Sequence, residues 1–351
     1  MIRVGHRDTA GRPRLLVLRA LGLGDLLTGL PALRALDAAF PHHERVLAAP
    51  AFLAPLVRLF DGAVDAVVDV DFRASVGTLP MALRAPDVAV NLHGRGPESH
   101  AALQALDPGR LIAWRHPDAS SDGPQWRDDE HERVRWCRLL ADAGIRADAG
   151  DYLLRPPSDC VPAEFADATI IHPGASAPAR RWPVERWAAV ARHELEHGRE
   201  VIITGGGDEA ELAKAVAALA GIGGQRVVAG HTDVEELAAL VAAAGRVACG
   251  DTGVAHLATA FGTPSVVVFG PTAPARWGPP SNGRHVALWA GVAGDPHADR
   301  PDPALLRIIV DDVTSALDTL PARGSGFVDV TPSFAEARSA MLLGPPQSDP
   351  S

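Results

Sequence analysis

The sequence predicts an α/β protein built from two parallel-sheet domains, and three observations support this fold class. Short β-rich runs alternate with alanine- and leucine-rich stretches of helical period, as in successive βαβ units. The alternation restarts after a proline-containing linker at residues 155–159. The length of 351 residues suits two domains. We therefore expect one domain over residues 1–157, a second over 158–321, and a partly disordered extension over 322–351.

Each half has its own series of predicted elements. The predicted strands are Arg14–Arg19, Arg45–Ala48, Ala66–Val70, Val88–Leu92 and Leu111–Trp114, then Thr169–His172, Glu200–Thr204, Arg226–Val228, Arg246–Cys249 and Ser265–Phe269. The predicted helices are Leu26–Ala39, Phe52–Leu59, Glu98–Leu106 and Asp129–Ala143, then Val184–His197, Glu209–Ala220, Val234–Ala243 and Val254–Ala260.

The composition restricts the partners of the chain. Its formal net charge is −10, which argues against nucleic acid as a partner because phosphate contacts require clustered Lys and Arg. The first residues lack the apolar core of a signal peptide, and no apolar run is long enough to span a bilayer. The three cysteines form no CxxC pair. We expect a cytoplasmic protein with reduced thiols, and docking at the inner face of the membrane stays open.

The loop after the first strand contains two glycines followed by Asp25. Ligands of parallel sheets bind beyond the carboxyl ends of the strands, so this loop is a candidate site. Gly22 and Gly24 permit a tight turn before a helix, but Leu27 replaces the third glycine of a dinucleotide fingerprint. A nicotinamide-binding domain is therefore disfavoured. Asp25 is either a helix-capping residue or a functional carboxylate.

In the second half, the first strand is followed by Ser176 and then by Arg180 and Arg181. A hydroxyl, backbone N–H groups and guanidinium groups together suit a diphosphate, although solvated surface arginines are an equal alternative. The next loop contains three glycines before Asp208, whose carboxylate could accept hydrogen bonds from ribose hydroxyls. A flexible turn with a capping acid is the alternative there.

A later loop places Asp251, Thr252 and Gly253 at the start of a helix, with His256 about one turn into it. The backbone N–H groups at Thr252 and Gly253 could face a phosphate, and Asp251 could accept sugar hydroxyls. Simple helix capping and a packed core histidine are the alternatives.

Three acidic or histidine-rich segments suggest metal binding, but each has a simpler interpretation. Asp69 and Asp71 match the short DxD pattern, which recurs by chance. The segment 128–132 is interpreted as the acidic first turn of a helix. The segment 42–44 lies in a turn without a helical i,i+4 partner. We therefore predict no metal and no cofactor.

Taken in order, these loops resemble glycosyltransferase family 9, the heptosyltransferases of lipopolysaccharide core assembly. The matching segments are Gly24-Asp25 with Pro31-Ala32-Leu33, His172-Pro173-Gly174-Ala175-Ser176, Arg180-Arg181-Trp182-Pro183, Asp251-Thr252-Gly253 with His256, and Phe269-Gly270-Pro271-Thr272. The resemblance implies the GT-B fold, in which two Rossmann-like domains face each other across a cleft, and an inverting reaction that needs no metal.

The resemblance also implies roles for individual residues. Asp25 would be the general base that deprotonates the acceptor hydroxyl. The donor would be bound by residues of the matching loops: Gly24, Ser176, Arg180, Arg181, Asp208, Thr232, Asp251, Thr252, Gly253 and His256. The acceptor would be contacted at the end of a first-domain strand by Asn91, His93 and Arg95, with His93 as an alternative base. Arg180 stands where the family usually has lysine, and Asn91 where it often has aspartate, so the acceptor stays open.

The predicted function is transfer of a sugar, with heptose among the candidates, from a nucleoside diphosphate sugar to a glycan or lipid-linked hydroxyl acceptor. Two alternatives stay open: a sugar-nucleotide epimerase or hydrolase on a similar scaffold, and a sugar-nucleotide-binding protein without catalytic activity.

Overall fold

A computed structural model describes residues 1–5, 7–9, 11–71, 78–119, 122–157 and 161–322 of the chain. The end of the predicted linker, Cys160, and nearly all of the predicted extension, residues 323–351, lie outside the described residues.

The first half forms a six-stranded sheet. Its strands are β1 (Ile2–Arg3), β2 (Arg14–Leu18), β3 (Glu44–Ala49), β4 (Ala66–Asp69), β5 (Val88–Asn91) and β6 (Arg110–Ile112). The strand order is β1-β4-β3-β2-β5-β6, and β1 is antiparallel to β4 while the other pairs are parallel. Without β1 this is the doubly wound Rossmann order, in which the direction of winding reverses between β2 and β5.

The second half forms a five-stranded parallel sheet. Its strands are β7 (Thr169–His172), β8 (Val201–Ile203), β9 (Arg246–Gly250), β10 (Ser265–Phe269) and β11 (His285–Trp289). They lie in the order β11-β10-β9-β7-β8, so the winding reverses between β7 and β9. The strands β7, β9 and β10 are buried apolar runs, as expected where helices cover both faces of a parallel sheet.

Eleven α-helices are present among the described residues. They are α1 (Leu23–Thr28), α2 (Leu30–Ala39), α3 (Ala54–Val57), α4 (Glu98–Gln104), α5 (Glu132–Asp142), α6 (Val184–Glu196), α7 (Ala210–Ala220), α8 (Val234–Ala243), α9 (Gly253–Phe261), α10 (Pro274–Trp277) and α11 (Val310–Thr319). No helix in the described part of the chain combines the length and the apolar character that a membrane crossing requires.

The long helix predicted over 26–39 is two helices, α1 and α2, which meet at Gly29. Pro31 has no N–H to donate to the carbonyl of Leu27, so the hydrogen-bond ladder breaks there. Gly29 also lies against the buried Arg19, and a Cβ at this position would be 2.8 Å from its Nε. The break therefore lets α1 end beside Arg19.

Other differences concern single elements. The predicted strand at 226–228 is reduced to one bridge between Val227 and Ile203, because residues 224–226 form a 3₁₀ turn. The bridge still occupies the third Rossmann position beside β8. The strand β11 and the helix α11 were not predicted, and the predicted helix at 52–59 is a 3₁₀ turn followed by the short α3.

The two domains pack against each other where α1 and α9 begin. A Cβ at Gly24 of α1 would lie 2.7 Å from Cδ2 of His256, and a Cβ at Gly253 of α9 would lie 2.9 Å from three atoms of the Leu23 side chain. Both helix starts therefore depend on glycine for this close approach. The main buried apolar cluster also contains residues of both domains.

Gly24→Ala tests this contact. We expect the added methyl group to push His256 away and to lower the free energy of unfolding by about 1–3 kcal/mol, although alanine is the better helix former. Gly207→Ala is the matched control because a Cβ there meets nothing within 4 Å. Urea unfolding of both variants measures the difference, and equal stabilities would contradict the close approach.

Candidate functional site

The loops that follow β2, β7, β9 and β10 surround one cavity of about 420 Å³ between the two domains. Its position beyond the carboxyl ends of the strands, at the point where each sheet reverses its winding, is the usual ligand position in such folds. The cavity is lined by Gly22, Leu23, Gly24, Asp25, His172, Ser176, Arg180, Leu237, Asp251, Thr252, Gly253, Val254, His256, Thr272, Arg276, Trp277, Pro296 and His297.

Asp25 is the predicted base, and it lies in the third position of α1 rather than at the cap. Its Oδ2 accepts a hydrogen bond of 3.3 Å from the backbone N–H of Gly22, the residue that precedes the helix. The carboxylate is half-buried in the cavity wall. The capping alternative and the functional one are thus compatible, because one oxygen caps the helix while the group still faces the cavity.

The backbone beneath Asp25 is held by the buried Arg19. Its guanidinium donates to the carbonyl oxygens of Asp25 and Leu92 and, at 2.9 Å, to Oγ1 of Thr28. Burial lowers the pKa of Arg19 from its ordinary value, and the charges of Asp25 and Glu132 oppose that shift. The side chain is fully buried, so it fixes the start of α1 from below.

Arg180 connects two predicted donor residues on the opposite wall. Its Nη2 donates to Oγ of Ser176, and its Nη1 lies 3.4 Å from the carbonyl oxygen and 3.8 Å from Oδ2 of Asp251. Among the described residues, its buried Nε has no hydrogen-bond partner. Arg180 therefore links the Ser176 loop to the Asp251 loop, both of which line the cavity.

The electrostatics of the cavity are set by burial. Burial raises the pKa of Asp251 to about 6, Arg180 opposes this shift, and the negative charge of Asp25 adds to it. Burial lowers the pKa of His256 to about 3, and the nearby Arg133, His131 and Arg19 act in the same direction. At neutral pH the cavity thus holds a carboxylate at Asp251 and a neutral imidazole at His256.

The start of α9 also faces the cavity. Thr252 precedes the helix in an extended conformation, and its side chain makes no capping hydrogen bond. The first N–H groups of a helix need an acceptor, and the helix dipole favours an anion there. Trp277 closes the same side, with its ring centroid 5.9 Å from that of His256.

One lining residue, His172, was not singled out as a site residue in the sequence. His172 is buried, donates or accepts at 3.0 Å with Oγ1 of Thr204, and lies 3.6 Å from Oε2 of Glu209. Burial lowers its pKa, and the charge of Glu209 opposes that shift. The predicted Asp208 is exposed and does not line the cavity.

Glu209 turns inward instead, since its carboxylate accepts from the N–H of Gly206 at 2.8 Å and fills the space beside Gly174. The capping pattern of Gly206 with an acid three residues later was the available signal.

Arg181 and Thr232 likewise do not line the cavity. Nε of Arg181 donates to the carbonyl oxygen of Ala175 at 2.9 Å, which shapes the loop before Ser176. Thr232 is half-buried in the turn before α8, whose cap is Asp233. The structure therefore does not place Arg181 and Thr232 in the cavity with the other predicted donor residues.

The predicted acceptor residues form a separate turn. Asn91 has no exposed surface, because its amide contacts Oγ of Ser99 at 2.8 Å and Nδ1 of His100 at 3.0 Å, and its Oδ1 accepts from the N–H of His93. Direct acceptor contact by Asn91 is thus incompatible with this packing. His93 is half-buried and Arg95 exposed, and neither lines the cavity.

Arg276 and His297 are further lining residues that the sequence did not single out. They follow β10 and β11 by several residues, and β11 itself was not predicted. Within the described residues, the one group of three potential metal ligands lies outside this cavity. The absence of a catalytic metal stays a prediction.

Comparison with known proteins finds a family match over the part of the chain that contains the second-domain loops. Residues 151–305 match the model of glycosyltransferase family 9 (heptosyltransferase). Over these residues, which are less than half of the chain, the sequence is similar to glycosyltransferase family 9. This segment contains every second-domain residue that was predicted to bind the donor. The resemblance inferred from the sequence motifs is thereby confirmed.

A curated relative matches a shorter part of the chain. Lipopolysaccharide heptosyltransferase 2 of Escherichia coli strain K12 is 31% identical over 106 residues, which are 29% of this chain and 30% of that protein. This chain thus matches less than a third of the length of that curated relative.

Two solved structures cover more of the chain. The structure of E. coli ADP-heptose lps heptosyltransferase II has a TM-score of 0.69 at 21% identity and covers 87% of this chain and 97% of that one. E. coli heptosyltransferase WaaC with ADP has a TM-score of 0.63 at 20% identity, over 87% and 97%. The predicted GT-B fold is therefore confirmed.

Asp251→Asn should alter stability in a pH-dependent way. The folded state keeps a proton on Asp251 up to about pH 6, whereas the unfolded chain loses it near pH 4, so wild-type stability falls as pH rises through this window. We expect the variant to gain about 2 kcal/mol more over wild type at pH 7.5 than at pH 4.5.

Urea unfolding at the two pH values measures this gain, and the exposed Asp107→Asn serves as the control. A stability difference between Asp251→Asn and wild type that does not change with pH would contradict the buried carboxylate.

Proposed function

We propose that this chain is an inverting glycosyltransferase that moves a sugar from a nucleoside diphosphate sugar to a hydroxyl acceptor. The observation that carries the proposal is the single cavity in which Asp25 of one domain faces Ser176, Arg180, Asp251 and the start of α9 from the other. A carboxylate opposite an anion-binding wall is the arrangement that acceptor activation and diphosphate departure require.

In the proposed reaction, the Asp25 carboxylate removes the proton of the acceptor hydroxyl. The acceptor oxygen attacks the anomeric carbon from the face opposite the diphosphate, and the bond between that carbon and the phosphate oxygen breaks. The bonding electrons leave with the nucleoside diphosphate. Attack from the opposite face inverts the anomeric configuration, and no step requires a metal.

The growing negative charge of the leaving group would be stabilised by Arg180 and by the free N–H groups at the start of α9. Arg180 is held by Ser176 and Asp251, so its guanidinium needs little reorganisation during the reaction. The two contacts complement each other, since Arg180 would supply a positive charge and the start of α9 would supply backbone N–H donors.

Asp251 would bind the sugar rather than the phosphate. Its carboxylate repels an anion, and its pKa of about 6 leaves it ionised at neutral pH, when it accepts hydrogen bonds from sugar hydroxyls. The neutral His256 beside it can donate or accept one hydrogen bond without adding charge.

An ADP-linked heptose is the first donor to test. The matching family model is described as a heptosyltransferase family, and one of the similar solved structures is a heptosyltransferase with ADP. We propose a glycan or lipid-linked compound as the acceptor. A thermal-shift comparison of ADP, GDP, UDP and TDP identifies the nucleotide, because a bound ligand raises the melting temperature.

Incubation of the donor alone separates transfer from the alternatives. A transferase should leave the nucleotide sugar largely intact until an acceptor is added. Rapid epimerisation or hydrolysis without acceptor would instead identify the epimerase or hydrolase alternative.

Asp25→Asn should abolish transfer while the affinity for the donor stays within about threefold of wild type. The amide keeps the size of the side chain but cannot take a proton, so turnover should fall by at least about 100-fold. The exposed Asp61→Asn is the control and should keep wild-type turnover. Turnover of Asp25→Asn within a few-fold of wild type would exclude Asp25 as the base.

Arg180→Ala should weaken binding of the stabilising nucleoside diphosphate by about 10–100-fold, because charged hydrogen bonds contribute roughly 1.5–3 kcal/mol. Calorimetry with the diphosphate measures this loss. The control is Arg192→Ala, an exposed arginine that donates to the carbonyl of Leu219 outside the cavity. Equal affinity of both variants would remove Arg180 from the diphosphate site.

A further inference from the structure

A second cluster of chemically active side chains lies on the second domain, outside the cavity. His193 and His197 are one helical turn apart at the end of α6, and Asp318 extends towards them from α11. One potential ligand atom from each lies within 4.8 Å of the other two. His193 is half-buried and the other two side chains are exposed, so an ion in solution can reach them.

The distances fit a metal ion. Two ligands at about 2.1 Å from a tetrahedral zinc ion are about 3.4 Å apart, and Nε2 of His193 lies 3.3 Å from both carboxylate oxygens of Asp318. The rings of His193 and His197 have their centroids 4.2 Å apart. The potential ligand atom of His197 lies within 4.8 Å of those of His193 and Asp318, so a shift of the exposed Asp318 carboxylate could bring all three ligands around one ion.

The tautomer of His197 also suits a ligand. Its Nδ1 donates to the backbone carbonyl oxygen of His193 at 2.7 Å, which leaves Nε2 with a free lone pair. Histidines that bind metals commonly donate their other ring N–H to a carbonyl or carboxylate in this way, which fixes the ring. The hydrogen bond spans one helical turn, so α6 itself provides it.

We propose that His193, His197 and Asp318 bind a divalent late transition metal ion, of which zinc is the representative. Two imidazoles and one carboxylate suit Zn²⁺, Ni²⁺ or Cu²⁺ rather than Mg²⁺, which prefers oxygen ligands. The ion connects α6 to α11, the last helix in the described part of the chain. Its role is to fix α11 on the domain, and it takes no part in the proposed transfer.

Arg199 competes with the ion for the carboxylate. Its Nη1 lies 3.7 Å from Oδ1 of Asp318 but only 2.8 Å from Oε1 of the buried Glu194. The shorter contact keeps the guanidinium on Glu194, so Asp318 can turn fully towards the histidines. The nearby positive charge lowers the affinity for the ion without blocking the site.

The test is calorimetric titration of the full chain with zinc chloride after removal of any histidine tag. The wild-type chain should bind Zn²⁺ more tightly than Mg²⁺, and His193→Ala and His197→Ala should each weaken Zn²⁺ binding at least tenfold. His42→Ala removes an exposed histidine of the other domain and should bind Zn²⁺ like wild type. Asp318→Asn tests the third ligand in the same way.

Melting temperatures provide an independent measurement. Zn²⁺ should raise the melting temperature of wild type and of His42→Ala but not of His197→Ala, while all three should melt alike in EDTA because His197 is exposed. Zinc affinity that is the same in wild type, His193→Ala and His197→Ala would overturn the proposal. Binding of Mg²⁺ as tightly as Zn²⁺ would overturn it as well.

Discussion

The contact between the first turns of α1 and α9 is the constraint on which the site depends. Gly24 lies against His256, and Gly253 lies against Leu23, so each helix presents a glycine to a side chain of the other domain. Any Cβ at these positions would separate the two helix starts. Asp25 follows Gly24, and Asp251 precedes Gly253 by two residues. This contact therefore also sets the distance between Asp25, the proposed base, and Asp251, a proposed donor-binding residue.

The contact is supported from within the first domain by a buried cation. Arg19 holds the carbonyl of Asp25 on one side and lies 3.7 Å from Glu132 of α5 on the other. His131, which precedes the same helix, reaches the carbonyl oxygen of Gly278 in the second domain at 3.0 Å. The start of one helix, α5, therefore connects the loop of Asp25 to the segment that contains Trp277, a residue of the cavity wall.

The sequence was sufficient to predict those parts of the site that follow from the sheet topology. Parallel strands end at one edge of a sheet, so the loops with Asp25, Arg180 and Asp251 could be expected to meet. Which side chain of a loop points inward depends on local hydrogen bonds, and sequence spacing indicated such a bond only for Glu209, three residues after Gly206. Glu209 turns in because it caps Gly206, and Asn91 turns away because its amide is held by buried polar partners.

The charges of the cavity suggest where the diphosphate and the sugar of the proposed donor would lie. Burial raises the pKa of Asp251 to about 6, Arg180 opposes the shift, and repulsion from Asp25 adds to it. A diphosphate would add negative charge, so in the proposed arrangement it would lie next to the guanidinium of Arg180. The sugar would then occupy the space between the carboxylates of Asp25 and Asp251. In this proposed arrangement its anomeric carbon would face Asp25, the side from which a deprotonated acceptor oxygen would attack.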